Sequence, residues 1–414
     1  MNRVVVTGLG AITPLGNDVE TYWGNLKEGK HGIAPITKFD ASQTGVTLAA
    51  EVKAFDPSLT MDRKEYKRMA LFSQYAIAAT AEALSSAGLS DLSQQTNVDR
   101  VGVMISSGIG GLDDMEAGII KMHEKGAKRV PPLFVPLTIG NMASGNVAIK
   151  YGAKGICLDI VTACASSTNA IGEAYRHIKH GYSDIIIAGG SEGTICEIGI
   201  AGFAALTALS TSENPDRASI PFDKERNGFI MGEGAGILIL ESLEHAQKRG
   251  ATIYAEVVGY GSNADAYHMT APTPDGSGAG KAMLLAIEEA GIQPCDIDYV
   301  NAHGTSTPTN DSAETTAIKY AFKEHAYKLA ISSTKSMTGH LLGGAGAVEA
   351  IACVKALQEG ILPPTANYQE ADALCDLDYI PNKARACDAH YAISNSLGFG
   401  GHNAVLCFKK WEIK

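Results

Sequence analysis

The stretch that decides the fold class of this chain is Asp159-Ile160-Val161-Thr162-Ala163-Cys164-Ala165-Ser166-Ser167. Its apolar first half belongs to a strand predicted over Ile156–Val161, and its second half opens a helix predicted over Ala165–His180. Cys164 stands where the strand gives way to the helix. A strand followed directly by a helix is the repeating unit of α/β proteins, so the stretch predicts that class.

The same alternation continues in both directions along the chain. Further strands are predicted at Arg3–Thr7, Arg100–Ile105, Asp184–Ala188, Gly236–Glu241, Ala255–Gly259, Tyr299–Ala302, Leu329–Ser333, Tyr391–Ser394 and Ala404–Lys409. Alanine-rich helices are predicted at Ser73–Ala87, Gly280–Ala290 and Ala345–Glu359. We therefore expect mixed sheets covered by helices.

A domain boundary is predicted near residue 250. Leu243–Gly250 has the pattern of a helix that ends at a glycine cap and is followed by a new strand. This divides the chain into halves of residues 1–250 and 251–414, each with its own series of strands and helices. No strong internal repeat is visible, so the residues alone do not show a duplication.

Composition excludes several classes of protein. The formal net charge of −11 argues against general nucleic-acid binding. No apolar run approaches the ~20 residues of a membrane span. The eight cysteines contain no CxxC pair, which argues against a zinc ribbon and favours free thiols in a reducing compartment. Because Met1–Val6 runs into a strand pattern without a secretory apolar region, we expect a cytoplasmic protein.

One apparent nucleotide motif is weak. Gly8-Leu9-Gly10 follows the first predicted strand, as in a dinucleotide-binding loop, but Thr13 stands where the third glycine belongs. A turn is the better interpretation of these residues.

Cys164 is a candidate nucleophile. A thiol at the N-terminus of a helix feels the helix dipole and free N–H groups, which predicts a lowered pKa and a favoured thiolate. The same N–H groups could stabilise an oxyanion on an attacked carbonyl. By itself, the cysteine would be read as a buried structural thiol, and only its companions elsewhere in the chain change that interpretation.

Two histidines and a lysine are the first companions. His303 ends a predicted strand and opens a hydroxyl-rich loop, the position in which α/β proteins place site residues. His340 stands just before the glycine-rich start of a helix, where an imidazolium is disfavoured and a neutral ring is expected. Gly343, Gly344 and Gly346 indicate that another backbone packs closely there. Lys335, at a strand end upstream, is expected to be buried and functional.

The last companion is Phe399, which stands between Gly398 and Gly400. The glycines free the backbone on both sides, which suits a mobile gate or an exposed amide; an ordinary turn with a packed aromatic is the alternative.

Taken together, these motifs resemble the β-ketoacyl-acyl carrier protein synthases, and within them the type II branch. The resemblance covers the whole chain. It rests on Val4–Gly10, Ser107–Gly111, Thr162–Ser166, Asn301–Pro308, Ser332–Gly343 and Gly398–Asn403, in the family's order.

The resemblance implies a thiolase-like duplicated fold, layered α-β-α-β-α with two mixed sheets, in a homodimer. It implies that Cys164 is the nucleophile, His303 and His340 the catalytic histidines, and Lys335 their lysine. Further implied roles are the gate and an oxyanion amide for Phe399, contacts with the phosphopantetheine arm for Thr305 and Thr307, and the acyl pocket for Ile109. Leu397, where many relatives have phenylalanine, and Gly344, where alanine is frequent, depart from the pattern.

The implied reaction is decarboxylative condensation of an acyl-enzyme thioester with malonyl-acyl carrier protein in fatty-acid elongation, with no cofactor and no metal. Two alternatives remain: a thiolase or polyketide ketosynthase acting on another carrier, and a non-catalytic partner resembling a chain-length factor. The second would lack the nucleophile.

A basic surface for the acidic carrier protein is predicted at two places. Lys64, Lys67 and Arg68 would share one face if Asp62–Ala70 is helical. Lys121, Lys125, Lys128 and Arg129 form a second group. A solvated charged face is the alternative for both groups.

Overall fold

The computed structural model describes residues 1–412. Its strands are β1 Val4–Ile12, β2 Ala34–Pro35, β3 Leu48–Ala49, β4 Val101–Ser106, β5 Cys157–Leu158, β6 Ile185–Glu192, β7 Gly234–Ser242, β8 Ala255–Ala264, β9 Tyr299–Asn301, β10 Ala330–Ser332, β11 Ile361–Leu362, β12 Arg385–Ala386, β13 Tyr391–Gly398 and β14 His402–Lys410. Every strand predicted from the sequence is present among them.

The α-helices are α1 Val19–Lys27, α2 Arg63–Tyr66, α3 Leu71–Ser86, α4 Leu92–Gln95, α5 Leu112–Lys125, α6 Phe134–Thr138, α7 Met142–Tyr151, α8 Ser166–Lys179, α9 Glu197–Ala205, α10 Leu243–Lys248, α11 Ser277–Ala290, α12 Pro308–Phe322, α13 Lys335–Thr338 and α14 Ala345–Glu359. The four predicted long helices correspond to α3, α8, α11 and α14, and α10 ends before Gly250 with its positive φ, as predicted. None of the helices within residues 1–412 is long and apolar enough to cross a membrane.

The helix that the shared face of Lys64, Lys67 and Arg68 assumed is shorter in the structure. The segment Asp62–Ala70 is helical only over Arg63–Tyr66. Asp62 caps this short helix through the N–H groups of Lys64 and Glu65. The chain must leave the helix before Ala70, because Ala70 is extended where it caps α3.

Strand order repeats between the two parts of the chain. The order β5-β4-β6-β7-β1 is followed across the sheet by β8-β14-β13-β9-β10. In each set the three outer strands are parallel, and the two inner strands pair antiparallel. The two mixed sheets expected from the resemblance are joined, since Val4–Val6 of β1 pairs with Ala255–Val257 of β8 and makes one ten-stranded sheet.

Five layers result from the packing of helices on these sheets. One cluster of buried residues places α3 and α7 on the outer face of the first five strands. A second places α11 and α12 on the outer face of the other five. The largest cluster contains α8 and α14 together with residues of both strand sets, so these two helices form the central layer. The N-terminal ends of α8 and α14 meet there, and the Cβ that an alanine would add at Gly346 would lie 1.9 Å from Thr168 Oγ1.

Candidate active site

Cys164 lies at a sharp turn between β5 and α8. Residues Ala163–Ala165 form a single 3-10 turn, and Ala163 has a φ of +52°, which is rare for a residue with a side chain. Thr162 is held by its N–H, which donates to Ser166 Oγ at 2.9 Å. The turn brings the Cys164 thiol, 9% exposed, to the floor of a pocket of about 300 Å³.

The pKa of Cys164 differs from the expectation. Burial raises the pKa of this thiol to about 12, although Lys335 and the N–H groups of Phe399 and Cys164 itself act to lower it. The prediction of a lowered pKa is therefore wrong. Desolvation of a charged sulfur outweighs the helix N-terminus when the sulfur is almost wholly buried, so the thiol is the resting form.

The turn that carries Phe399 approaches Cys164 closely. The Cβ that alanine would add at Gly398 would lie 2.6 Å from the Thr162 oxygen and 3.3 Å from the Cys164 nitrogen. Gly400 and Gly401 have φ values of +85° and +74°, and the Gly400 N–H donates to the Met269 oxygen at 2.7 Å. This geometry directs the N–H groups of Phe399 and Cys164 at the same sulfur, which is the arrangement of an oxyanion hole.

His303 is fixed by a buried carboxylate on α12. The N–H groups of His303 and Gly304 donate to the two oxygens of Glu314 at 2.8 and 2.7 Å. The pKa of His303 lies well below its ordinary value because of burial first, and then because of Lys335 and His340. The ring is therefore neutral at physiological pH.

His340 is held by backbone hydrogen bonds. Its N–H donates to the Ile230 oxygen at 2.7 Å, and its own oxygen accepts from the Gly232 N–H at 2.9 Å. The pKa of His340 also lies well below its ordinary value, as a neutral ring was expected to show. Burial is the larger cause and Lys335 the second, rather than the helix N-terminus invoked from the sequence.

Lys335 is buried, as expected, at 1% exposure. Its Nζ forms an ion pair with Glu349 of α14, and burial raises the pKa of that carboxyl to about 7 in spite of the lysine. The positive charge disfavours protonation of both histidines and favours a thiolate at Cys164.

Residues distant in sequence thus converge on one point. The Cys164 sulfur and a ring nitrogen of His303 and of His340 all lie within 4.8 Å of one another. The two histidine rings pack edge to face with centroids 5.2 Å apart. The trio also has the chemistry of a soft-metal ligand set.

Two aromatic residues of this site were missed from the sequence. Phe229 packs edge to face on His340, with ring centroids 5.2 Å apart. The ring centroid of Phe203 lies 5.5 Å from that of Phe229 and 6.3 Å from that of Phe399. The rings connect the histidines with the predicted gate. Nothing in their local sequence distinguishes them from ordinary core aromatics, so only the packing identifies them.

The two predicted arm-binding threonines line the same pocket. Thr305 Oγ1 and Thr307 Oγ1 are 2.9 Å apart, and Thr307 caps α12 by accepting from the Asn310 N–H. Leu397, one of the departures from the family's pattern, also lines the pocket.

Ile109 is not brought into this pocket. Its side chain is 37% exposed, and the turn that carries it is bound instead to the buried carboxylate of Glu192, a residue that sequence reasoning also missed. The acyl-pocket role of Ile109 stays a prediction.

The predicted docking residues are all exposed. Within residues 1–412, none of Lys64, Lys67, Arg68, Lys128 and Arg129 forms an ion pair, and the same holds for Lys121 and Lys125. Their charges are available to a partner.

Known proteins match the chain over its length. Residues 1–246 match the family described as beta-ketoacyl synthase, N-terminal domain, and residues 254–369 match the corresponding C-terminal domain. A 3-oxoacyl-[acyl-carrier-protein] synthase 2 of Synechocystis sp. is 52% identical over 99% of this chain and 98% of its own. The protein of that name in Staphylococcus aureus is 52% identical over 99% of each chain.

Solved structures agree with these matches. A beta-ketoacyl synthase from Burkholderia phymatum superimposes with a TM-score of 0.91 at 37% identity over 100% of both chains. A type II polyketide ketosynthase, bound to the hexaketide and in complex with its acyl-carrier protein, gives a TM-score of 0.92 at 36% identity over 99% of this chain and 100% of that one. Both domains of the family match this chain, relatives of nearly equal length are 52% identical to it, and the thiolase-like fold is the same. The chain therefore belongs to the β-ketoacyl synthase family.

Proposed function

We propose that this protein is a 3-oxoacyl-[acyl-carrier-protein] synthase, a condensing acyltransferase that joins an acyl group to malonyl-acyl carrier protein in fatty-acid elongation. The observation that carries the proposal is the convergence of the Cys164 thiol, two neutral imidazoles and two inward N–H groups on one pocket. Relatives of this name, 52% identical over nearly the whole chain, support the same reaction.

The first step is acyl transfer. The Cys164 sulfur attacks the carbonyl carbon of the acyl thioester, and the carrier's sulfur leaves with the bonding pair. Because the resting group is a thiol, its proton must move first, and a neutral imidazole of His303 or His340 is within reach to accept it. The proton then passes to the departing carrier thiolate, so the histidine is neutral again. The N–H groups of Cys164 and Phe399 stabilise the oxyanion.

The second step is decarboxylation of the malonyl group. Loss of carbon dioxide leaves its electron pair on the thioester as an enolate, and negative charge develops on the thioester oxygen. A neutral imidazole can donate a hydrogen bond to that oxygen, and two such groups face the pocket. The positive charge of Lys335, which is paired with Glu349, disfavours protonation of both rings.

The third step forms the carbon–carbon bond. The α-carbon of the enolate attacks the acyl-Cys164 carbonyl, and the same two N–H groups hold the new oxyanion. Collapse of the intermediate expels the Cys164 sulfur as a thiolate, which takes up a proton from solvent water. The product is a 3-oxoacyl-acyl carrier protein longer by one two-carbon unit. The scheme uses no cofactor and no metal, because carbon dioxide loss supplies the carbanion.

The test is incubation of the protein with acyl- and malonyl-acyl carrier protein, followed by mass analysis. We expect the extended 3-oxoacyl product and, in peptide maps, an acyl group on Cys164. Cys164→Ala should form neither. Product formation by that variant, or an acyl group on another residue, would refute the assignment. Full activity after dialysis against a chelator is expected.

The polyketide alternative is less favoured because the type II polyketide ketosynthase shares 36% of residues with this chain, against 52% for the relatives named 3-oxoacyl-[acyl-carrier-protein] synthase 2. Carrier choice decides between them. Extension of fatty-acid carrier substrates by a single unit supports the proposal, and repeated extension without reduction supports the polyketide ketosynthase.

The substrate arm is assigned to the pocket mouth. Thr305 and Thr307 present neighbouring hydroxyls that can bind the amides of the phosphopantetheine arm. The exposed groups Lys64, Lys67 and Arg68, and Lys128 and Arg129, supply positive charge on a protein of net charge −11, which suits an acidic carrier protein.

Charge reversal tests that docking surface. Lys64→Glu with Lys67→Glu should raise the KM for acyl carrier protein and change its salt dependence, with little change in kcat. The matched control is Lys248→Glu with Lys383→Glu, which reverses two exposed lysines outside both groups. An unchanged KM at low salt, or an equal rise in the control, would exclude this surface.

Three further assignments complete the proposal. The halves 1–250 and 251–414 are supported by the repeated strand order. A homodimer is supported by the exposed edge strand β5 and by exposed apolar residues beside it, among them Ile149 and Val161. A cytoplasmic location is supported by eight free thiols.

A further inference from the structure

Glu192 is a buried carboxylate that the reaction scheme does not use. It is the last residue of β6 and is fully inaccessible to solvent. Its Oε2 accepts from the N–H groups of Gly108 and Gly343 at 2.8 and 2.9 Å. Its Oε1 accepts from the Ile109 N–H at 3.3 Å and from two hydroxyls, those of Ser107 and Thr194, at 2.8 and 3.0 Å.

The three backbone N–H partners favour the ionised form, although burial raises the pKa of Glu192 above its ordinary value. A backbone N–H group can only donate, and the Ser107 hydroxyl already accepts from the Gly110 N–H. Each oxygen of Glu192 accepts at least two of these hydrogen bonds. Within residues 1–412 no lysine, arginine or histidine pairs with it, so N–H and O–H donors alone hold the charge. A buried charge held in this way is costly to disturb.

The carboxylate joins two segments that lie far apart in the sequence. Gly108 and Ile109 belong to the turn after β4, and Gly343 lies three residues after His340. The two backbones nearly touch, because a Cβ at Gly343 would lie 2.1 Å from the Gly108 nitrogen. A movement of the Ile109 turn therefore cannot leave the His340 segment unaffected unless the Glu192 contacts break.

We propose that Glu192 is a positioning residue that locks the Ile109 turn to the His340 segment, so that accommodation of the acyl chain and placement of the decarboxylating histidine are coupled. The proposal rests on the proposed function and on the acyl-pocket role predicted for Ile109, and it deepens that function, since it assigns the coupling between primer length and catalysis to one side chain. Glu192 touches no substrate in this role and acts through Ile109 and His340.

Glu192→Gln tests the coupling with little change of shape. An amide keeps one acceptor, which can remain with the Gly108 and Gly343 N–H groups. Its NH₂ then faces the Ile109 N–H, and two donors repel. The Ile109 turn should therefore be released first. The matched control is Glu82→Gln, because Glu82 also accepts two backbone N–H groups, those of Ala11 and Val19 at 2.8 Å, and lies on α3 outside the site.

The first measurement is kcat/KM over primers of about four to about fourteen carbons. We expect Glu192→Gln to lose about tenfold with the longest primers and less than about threefold with the shortest, and to slow malonyl decarboxylation. Glu82→Gln should change all primers alike. A uniform loss in Glu192→Gln that matches the control, or an unchanged profile, would overturn the proposal.

The second measurement is amide hydrogen exchange, which does not depend on the reaction. In Glu192→Gln the amides of Gly108, Ile109 and Gly343 should lose protection together, and in Glu82→Gln they should not. Loss of amide protection in only the Ile109 turn, or in only the His340 segment, would overturn the coupling even if the protein catalyses condensation. Absence of condensation in the wild-type protein would instead refute the proposed function, while the exchange result still decides the coupling.

If Glu192→Gln does not fold, Ser107→Ala replaces it. That variant keeps the carboxylate and removes one donor together with the Gly110 contact. The same length-dependent loss, smaller in size, and the same paired loss of protection are expected. Wild-type behaviour in both assays would overturn the proposal.

Discussion

At the scale of single residues, burial decides the protonation of the site. Cys164, His303 and His340 are all held in the neutral form by desolvation, and Lys335 opposes this only for the cysteine. A neutral thiol beside two neutral imidazoles is suited to a nucleophile that forms its thiolate only when a substrate arrives.

The reactivity of Cys164 should therefore rise with pH. Because the pKa of the thiol is about 12, the thiolate fraction grows steadily over the range from about pH 6 to about pH 9. We expect the rate of alkylation by iodoacetamide to increase throughout that range without a plateau, and to be slower in Lys335→Met. A plateau below about pH 8 would show that a thiolate is already formed in the resting protein.

The two histidines should separate the two half-reactions. His303→Ala or His340→Ala keeps the Cys164 thiol and both oxyanion N–H groups, so acylation should persist at a reduced rate. Each variant loses one hydrogen-bond donor to the enolate, so decarboxylation should fall by about 10²–10³. Radiolabelled carbon dioxide release and peptide mapping measure the two steps. Normal decarboxylation in both variants would contradict the assignment.

The buried histidines also predict how acid affects stability. Their pKa values are lower in the folded protein than in the unfolded chain, so the unfolded state binds more protons in acid. The stability they contribute is complete above the unfolded value of about 6.5 and is lost as the pH falls below it. Denaturant unfolding at several pH values should show that the free energy of unfolding falls in acid. In His303→Gln this fall should be smaller. An equal fall in His303→Gln and in the wild-type protein would show that other groups cause the loss of stability in acid.

At the scale of elements, glycines determine how closely the loops approach the sulfur. The β13–β14 turn reaches Cys164 only because residue 398 has no side chain. Gly398→Ala should move the Phe399 N–H away from the oxyanion and lower kcat by about 10²–10³ with little change in KM. The control is Gly202→Ala on α9, where an added Cβ meets nothing within 4 Å. Equal activity of the two variants would exclude Phe399 as an oxyanion donor.

The turn after β4 is expected to set primer length. Ile109 follows Gly108 and precedes Gly110, whose φ is +79°, so the side chain projects from a tight turn. In Ile109→Phe, overpacking of ~1–3 kcal/mol should retain condensation of short primers and abolish that of medium and long ones. The measurement is kcat/KM over a primer series. A uniform fall would mean a damaged turn, and an unchanged profile would exclude Ile109 from the acyl pocket.

At the scale of the whole molecule, the repeated strand order places the site between the two parts of the chain. Cys164 comes from the first strand set, and His303, Lys335 and His340 come from the second. The central helices α8 and α14 bring both sets of loops to one edge of the layers. Neither part of the chain contains all of the reacting groups.

The outer edge of the first strand set is expected to bind a second copy. β5 is an edge strand; its residue Leu158 is 43% exposed, and Val161, three residues further along the chain, is 58% exposed. Sedimentation should give twice the chain mass of 43.3 kDa, and Leu158→Asp with Ile149→Asp should give the monomer. Leu374→Asp, which alters another exposed leucine, should leave the dimer intact. A monomeric wild-type protein would contradict this assignment.

The sequence by itself determined the elements and the chemistry. Local apolar patterns predicted all ten strands of the large sheet, because the apolar residues that form a strand are close together in the sequence. Cys164, His303, Lys335 and His340 stood out because each stands near the point where a predicted strand or helix begins or ends. The helix considered over Asp62–Ala70 covers only Arg63–Tyr66 in the structure, because its end depends on where α3 must start.

Only the tertiary structure decided what depends on residues far apart in the chain. The joining of two sheets by β1 and β8, the aromatic contacts of Phe229 and Phe203, and the carboxylate of Glu192 have no local signature. The pKa of Cys164 is the clearest case. The helix N-terminus visible in the sequence favours a thiolate, but desolvation by the surrounding fold is the larger effect, and desolvation is a property of packing that no single stretch of sequence contains.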